Sequence, residues 1–244
     1  MGFYIALLFL TRIPLPHIKF EEKDIIRSLP YFPVVGAVIG IVLALVDAIL
    51  QNYLPAPALA CLIVVVEAVI TGGLHIDGFA DTMDGLFCGK EKNGKLDVMK
   101  DSRLGAFGVM GVVALFLLKY SALVSVPLWF RPKLLFIFPV ISRWVMTWSV
   151  VLFPYIREKG LGKVFNQNKS PFQLVLPTVF CLILAFAAGE FNGIILAILS
   201  FISGILFSVY ILKKIGGMTG DTYGAVNEFS EIAALYIFFI LGKL

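Results

Sequence analysis

The sequence predicts an all-α, polytopic integral membrane protein of about seven transmembrane helices (six to seven), and three observations lead there. Of 244 residues, 59% are hydrophobic and only 15% charged, far from the composition of soluble globular chains. Apolar runs lie near 31–50, 57–75, 104–126, 134–153, 172–189, 192–212 and 225–241. Each is close to the roughly 20 residues a helix needs to cross a bilayer, the last being the shortest. The charge between them is lopsided: segments 11–29, 76–103, 154–171 and 213–224 carry 15 of the 20 Lys and Arg, whereas 51–56, 127–133, 190–191 and 242–244 carry three. By the positive-inside rule this predicts an inner-membrane protein with its N-terminus and long charged loops in the cytoplasm.

Residues 2–10 are apolar but too short to span, and Pro14 and Pro16 follow them, so they are expected at the interface. Arg12 comes after that run rather than before it and no small-residue cleavage site follows, so no cleavable leader is expected. Cys61 and Cys181 fall in apolar spans and Cys88 in a loop, which predicts packing residues and a reduced thiol rather than disulfides. No coiled coil, low-complexity tract or soluble accessory domain interrupts the chain; residues 1–244 read as a single transmembrane domain.

The second span runs into Gly72-Gly73-Leu74-His75-Ile76-Asp77-Gly78-Phe79-Ala80-Asp81-Thr82-Met83-Asp84-Gly85. Asp77, Asp81 and Asp84 stand at i, i+4 and i+7, which sets three carboxylates on one face of a helix. Like charges this close repel one another unless a cation sits between them or some keep their protons. Mg²⁺ is the expected cation, and a phosphate-bearing substrate the expected reason to hold it. Asp97 and Asp101 follow in a loop that also holds Glu91, and a remaining aspartate there suits a general base. A solvated acidic loop balanced by lysines accounts for Glu91 and partly for Asp97, but poorly for three aspartates set among Gly78, Phe79, Ala80 and Met83.

Three further segments suit phosphate or substrate. Lys100-Asp101-Ser102-Arg103 precedes the third span, where free amides and a guanidinium favour a phosphate. Arg157 and the Gly160-x-Gly162-Lys163 run offer a backbone cradle, without a Walker pattern or a preceding strand. Gly216-Gly217-x-x-x-Asp221 echoes Gly72-Gly73-x-x-x-Asp77, and Glu228 stands seven residues beyond Asp221 as Asp84 does beyond Asp77. The echo makes an internal pseudo-repeat a candidate, with two related acidic faces on one site. Among lone residues, Glu67 and Arg143 lie within spans, where ionisable groups face inward and pair. Asp47 and Lys119 are expected to snorkel from span ends, and His75 is a candidate ligand or hydrogen-bonder.

The chain resembles the cobalamin (cobalamin-5′-phosphate) synthases, the adenosylcobinamide-GDP ribazoletransferases. The resemblance is carried by Phe9-Leu10-Thr11-Arg12-Ile13-Pro14-Leu15-Pro16, by the Gly72 to Gly85 motif, and by Met99-Lys100-Asp101-Ser102-Arg103-Leu104-Gly105-Ala106-Phe107-Gly108. It continues through Gly160-Leu161-Gly162 and Gly216-Gly217-Met218-Thr219-Gly220-Asp221, nearly end to end. It implies a late step of vitamin B12 assembly: α-ribazole or its 5′-phosphate attacks adenosylcobinamide-GDP, GMP leaves, and Mg²⁺ is required. Against that chemistry Asp77, Asp81, Asp84, Asp101 and Arg103 are the expected catalytic residues, the four aspartates also the metal ligands. Gly73, His75, Lys100, Ser102, Arg157, Gly160, Gly162, Lys163, Asp221 and Glu228 are the expected substrate contacts. The membrane and these two small molecules are the expected partners, with self-association or association with other corrinoid-pathway enzymes, and no nucleic acid.

Two rival readings have specific features. The chain is partly similar to CDP-alcohol phosphotransferases through Asp81, Asp84, Gly85, Asp97 and Asp101. The Ala-Arg of that pattern is missing, with Phe87-Cys88-Gly89 in its place, and Gly94 to Asp97 is one residue short. An ion-coupled transporter would use Glu67 and Arg143, but its acids should gather near the midplane and these crowd one surface.

Overall fold

The structure, a computed structural model, describes residues 1–16, 18–19, 21–158, 160–167 and 170–241. Among them the chain is all helical: α1 (Gly2–Leu10), α2 (Glu22–Ser28), α3 (Phe32–Leu50), α4 (Ala56–Thr71), α5 (Leu74–Phe87), α6 (Lys92–Val98), α7 (Ala106–Ser125), α8 (Arg131–Leu152), α9 (Leu161–Gln167), α10 (Val175–Ile215) and α11 (Gly220–Ile240). Four stretches, 24–50, Ala106–Ser125, Arg131–Leu152 and Pro171–Ile215, are long and apolar enough to cross a membrane, and α4 with α5 makes a fifth only if taken together across a 94° bend. The protein is therefore multi-pass. At 14 residues and carrying three aspartates, α5 is too short and too polar to be a span alone.

α8 is the central helix. Seventeen of its 22 residues are buried, Arg143 and Arg131 among them, as expected of a helix packed on all sides. α3 crosses it through Gly36-x-x-x-Gly40, whose missing side chains admit the backbone of Phe136, Pro139 and Val140. A small-residue stripe allows such backbone approach, and in lipid dispersion and close packing drive association of helices.

α10 is not a straight rod. Trp144 and Trp148 of α8 both donate to Thr178 Oγ1 (3.0 and 3.1 Å), and both rings meet Phe201 (centroids 4.8 and 5.1 Å). Thr178 and Phe201 would lie roughly 34 Å apart along an unbroken helix. Helical geometry fails at Gly189 and Glu190, the latter at φ 51°, and Gly193 lies directly on the Ala185 carbonyl. α10 is thus two antiparallel arms, broken where the sequence separates 172–189 from 192–212.

The buried charges differ from expectation. Asp47 and Lys119 do not snorkel: Asp47 pairs with Arg131 at 2.6 Å, both sealed. Lys119 reaches Glu67 (3.0 Å), Glu228 (2.8 Å) and Glu231. Glu231 also accepts from Arg143, from Ser142 (3.1 Å) and from Asn227 (3.2 Å). One polar cluster therefore ties α4, α7, α8 and α11 together. A lysine side chain inside a bundle has no water to reach, so it takes every carboxylate nearby.

Candidate active site

Two consecutive glycines create the site's geometry. Gly72 and Gly73 both have left-handed backbone (φ 63° and 69°), ending α4 and starting α5 with the 94° turn. Arg12 packs over Gly72, and its amide donates to the Ile70 carbonyl at 2.6 Å, which ties the segment after α1 to that turn. The bend lays α5 across α11. There, Gly78 faces the Asp221 backbone and Gly224 faces the His75 backbone, with a Cβ on either glycine arriving 2.7 Å and 3.1 Å from it. Gly216 (φ 81°) ends α10 in the same left-handed manner, and Thr219 caps α11 through the Thr222 amide. The two glycine-rich ends of the sequence echo meet at one place.

Three carboxylates face that place. Asp77 is exposed, Asp81 half-buried, and Asp221 half-buried with Arg157 at 2.7 Å. Partial burial, then the charges of Asp221 and Asp77, push the Asp81 carboxyl up to about 6. Asp221 is raised by burial, against the pull of Arg157, with Asp77 adding to the rise. A carboxylate set that crowds itself this way has the chemistry of a divalent-cation site, although no three His, Cys, Asp or Glu side chains among the described residues stand in metal-binding geometry.

Asp84 lies on the same stripe of α5 but has other work. Its two oxygens accept the Gly105 and Gly108 amides (2.7 and 2.8 Å) at the start of α7, and a side chain at either glycine would strike the carboxylate. It is a helix-capping residue supplied from another helix. Asp101 and Arg103 pair with each other at 2.6 Å in an exposed turn. The Arg103 hydrogen bonds hold the Asp101 carboxyl down to about 2. Ser102 and Lys100 are exposed beside them. The turn stays near the acidic centre because Arg157, bound to Asp221, also donates to the Met99 carbonyl at 3.2 Å, and Lys100 shares a surface depression with Arg157.

Gly160 and Gly162 fit against the Tyr155 ring, Gly160 at φ 110°. Lys163 follows, exposed, and Lys159 lies outside the described residues. Tyr155 in turn stacks on Tyr223 (6.2 Å) and pairs by backbone with Met218. These contacts close a cavity of about 290 Å³ whose lining includes His75, Asp77, Arg157, Gly160, Gly162 and Asp221. Six of the sequence-predicted residues thus share one space. Gly73 opens α5 beside it. Glu228 does not reach the cavity: it is 3% exposed and held by Lys119. Its helical spacing from Asp221 is real, but seven residues along α11 lead into the bundle rather than along its surface.

Sequence reasoning missed the apolar wall of the cavity: Phe9, Phe32, Phe165, Met146, Val150 and Tyr223. They come from five helices and have no shared spacing. It also missed Lys119 as a hub; a lysine and three glutamates within apolar runs were the available signal.

A family model described as cobalamin-5-phosphate synthase matches residues 2–239. Relatives called adenosylcobinamide-GDP ribazoletransferase include one from Fusobacterium nucleatum, 34% identical over 98% of this chain and 97% of its own length. Those from Desulfitobacterium hafniense and Geotalea daltonii are both 36% identical, covering 95% and 98% of this chain and 94% and 97% of theirs. No solved structure matches. With both a helical membrane fold and nearly its whole length in agreement, the chain belongs to the cobalamin-5-phosphate synthase family.

Proposed function

We infer that this protein is a membrane transferase that joins ribazole, or its 5′-phosphate, to adenosylcobinamide-GDP and releases GMP, the step that assembles the nucleotide loop of cobalamin. The observation that carries the reading is the near end-to-end family match, with its acidic motif folded beside a cavity. A free ribose hydroxyl of ribazole, not the 5′-oxygen that bears the phosphate in its 5′-phosphate, forms a bond to the cobinamide-side phosphorus, the anhydride bond to GMP breaks, and the hydroxyl proton passes to a carboxylate. Asp77 and Asp221, which both line the cavity, are the residues within reach of a nucleophile there. Arg157 and Lys100 offer charge to the diphosphate from the neighbouring depression. Arg103 joins them once it leaves Asp101, which is then free to act as base or ligand.

Asp77, Asp81 and Asp221 supply the oxygen donors Mg²⁺ takes and would hold it on drawing closer together, since their mutual repulsion is what a divalent cation relieves. Such an ion would neutralise charge on a leaving phosphate.

Counting the two arms of α10 apart, taking α4 up to its bend as a short crossing and adding α11 gives seven crossings, with α5, α6, α9 and the acidic centre on the cytoplasmic side of the inner membrane. The charge bias of the loops supports that orientation. Purified protein in nanodiscs, given adenosylcobinamide-GDP and ribazole with and without Mg²⁺, is expected to release GMP only with the cation. Absence of GMP with both substrates and Mg²⁺ present would overturn the reading.

A further inference from the structure

We propose that the cavity beside Asp77 and Asp221 takes the aromatic base of ribazole, and that the GDP-bearing corrinoid stays outside it. The proposal rests on the transferase reading and goes further by dividing the two substrates between two places. The cavity has one charged end, formed by Asp77, Arg157 and Asp221, and one apolar end, formed by Phe9, Phe32, Phe165, Met146 and Val150. The apolar end is packed into the core: Phe32 is 1% exposed, Val150 2%, Met146 3% and Phe165 4%. Phe9 stacks on Phe32 at 6.1 Å, and Phe32 meets Phe165 edge-on at the same distance.

Size excludes one substrate. About 290 Å³ lies at the low end of ligand pockets and suits a bicyclic base with its sugar, never a corrin macrocycle. Polarity separates the two bases. Guanine presents hydrogen-bonding groups along most of its rim and would leave them unpaired against phenylalanines. The benzimidazole of ribazole has a hydrocarbon edge and a single ring nitrogen free to accept. Two buried wall residues carry polar atoms without a hydrogen-bond partner, Tyr223 at its hydroxyl and His75 at Nδ1. The Tyr223 hydroxyl is a donor suited to that nitrogen. With the base inserted, ribose projects toward the charged end, and its attacking hydroxyl meets Asp77 and Asp221 where the diphosphate arrives from Arg157 and Lys100.

Val150 and Met146 are then specificity-determining residues. In the full chain in nanodiscs, Val150→Phe is expected to raise KM for ribazole about tenfold or more, with KM for adenosylcobinamide-GDP within about twofold of the wild type. A rise for adenosylcobinamide-GDP instead, or no change in either, overturns the assignment. Should Val150→Phe not fold, Val150→Ala decides: the enlarged cavity should shift preference about fivefold toward a riboside with a bulkier base, and unchanged preference overturns the assignment. Equilibrium binding of ribazole alone separates this proposal from the transferase reading. If the wild type binds ribazole but makes no product, the transferase reading fails. If it makes product while Val150→Phe binds ribazole as tightly as the wild type, the cavity assignment fails.

Discussion

Gly78 of α5 rests on the backbone of Asp221 in α11, so close that a Cβ there would stand 2.7 Å from the Asp221 carbonyl oxygen and 2.9 Å from its Cα. The contact brings together aspartates 144 residues apart, Asp77 beside Gly78 and Asp221 itself. Helix packing, not chain proximity, builds the acidic centre.

Gly78→Ala should therefore pry α5 from α11. Backbone cannot give way as a side-chain tip can, and overpacking of this kind costs about 1–3 kcal/mol. Turnover is expected to fall more than stability does, because a small shift separates Asp77 from Asp221. Parallel GMP-release and thermal-unfolding measurements check this; a variant with wild-type turnover would remove the crossing from the argument.

Asp84 and Asp81 should part company when mutated. Asp84→Ala strips two amides of their acceptor at the α7 start and is expected to cost about 1–3 kcal/mol of stability. Asp81→Asn should abolish turnover with no such loss. Thermal unfolding of the two proteins in the same detergent distinguishes a cap from a ligand.

Asp81 also predicts a pH dependence. Its folded carboxyl is raised from 3.8 to about 6, so the folded state holds that proton more tightly than the unfolded chain. Metal-free protein should accordingly gain stability from this group as pH falls through about 6 toward 4, and lose it again on the way up. Mg²⁺ needs the charged form, so the Mg²⁺ concentration for half-maximal rate should rise as pH drops below about 6. A metal titration repeated at several pH values measures it, and Asp81→Asn removes the stability effect.

Lys119→Met leaves Glu67, Glu228 and Glu231 without their shared cation. Removing one partner from a buried ion cluster costs about 3–5 kcal/mol. Glu228→Gln in the Lys119→Met background should restore part of that, since one fewer buried charge is left unpaired. Folded yield and unfolding midpoint report both steps; a Lys119→Met protein as stable as the wild type would make the cluster incidental.

Much of this was legible in the residues. Asp77, Asp81 and Asp84 on one helix, a break at Gly72-Gly73, and a second glycine-rich end at Gly216-Gly217 follow from local rules about helix period and left-handed backbone. The same rules misjudged Asp84, Glu228 and Lys119. Each has the expected local conformation, yet its partners are the Gly105 and Gly108 amides, Lys119, and three glutamates, all on other helices.

The sequence by itself determined the helical membrane character, the family and the acidic motif, because hydropathy, charge bias and short-range spacing are properties of neighbouring residues. Only the tertiary structure decided which carboxylates share a site, which are sealed among cations, and that Phe9, Phe32, Met146, Val150 and Phe165 line one cavity. The physical reason is range: burial and ion pairing depend on which helices touch, and the glycine crossings that set those contacts act between segments far apart in the chain.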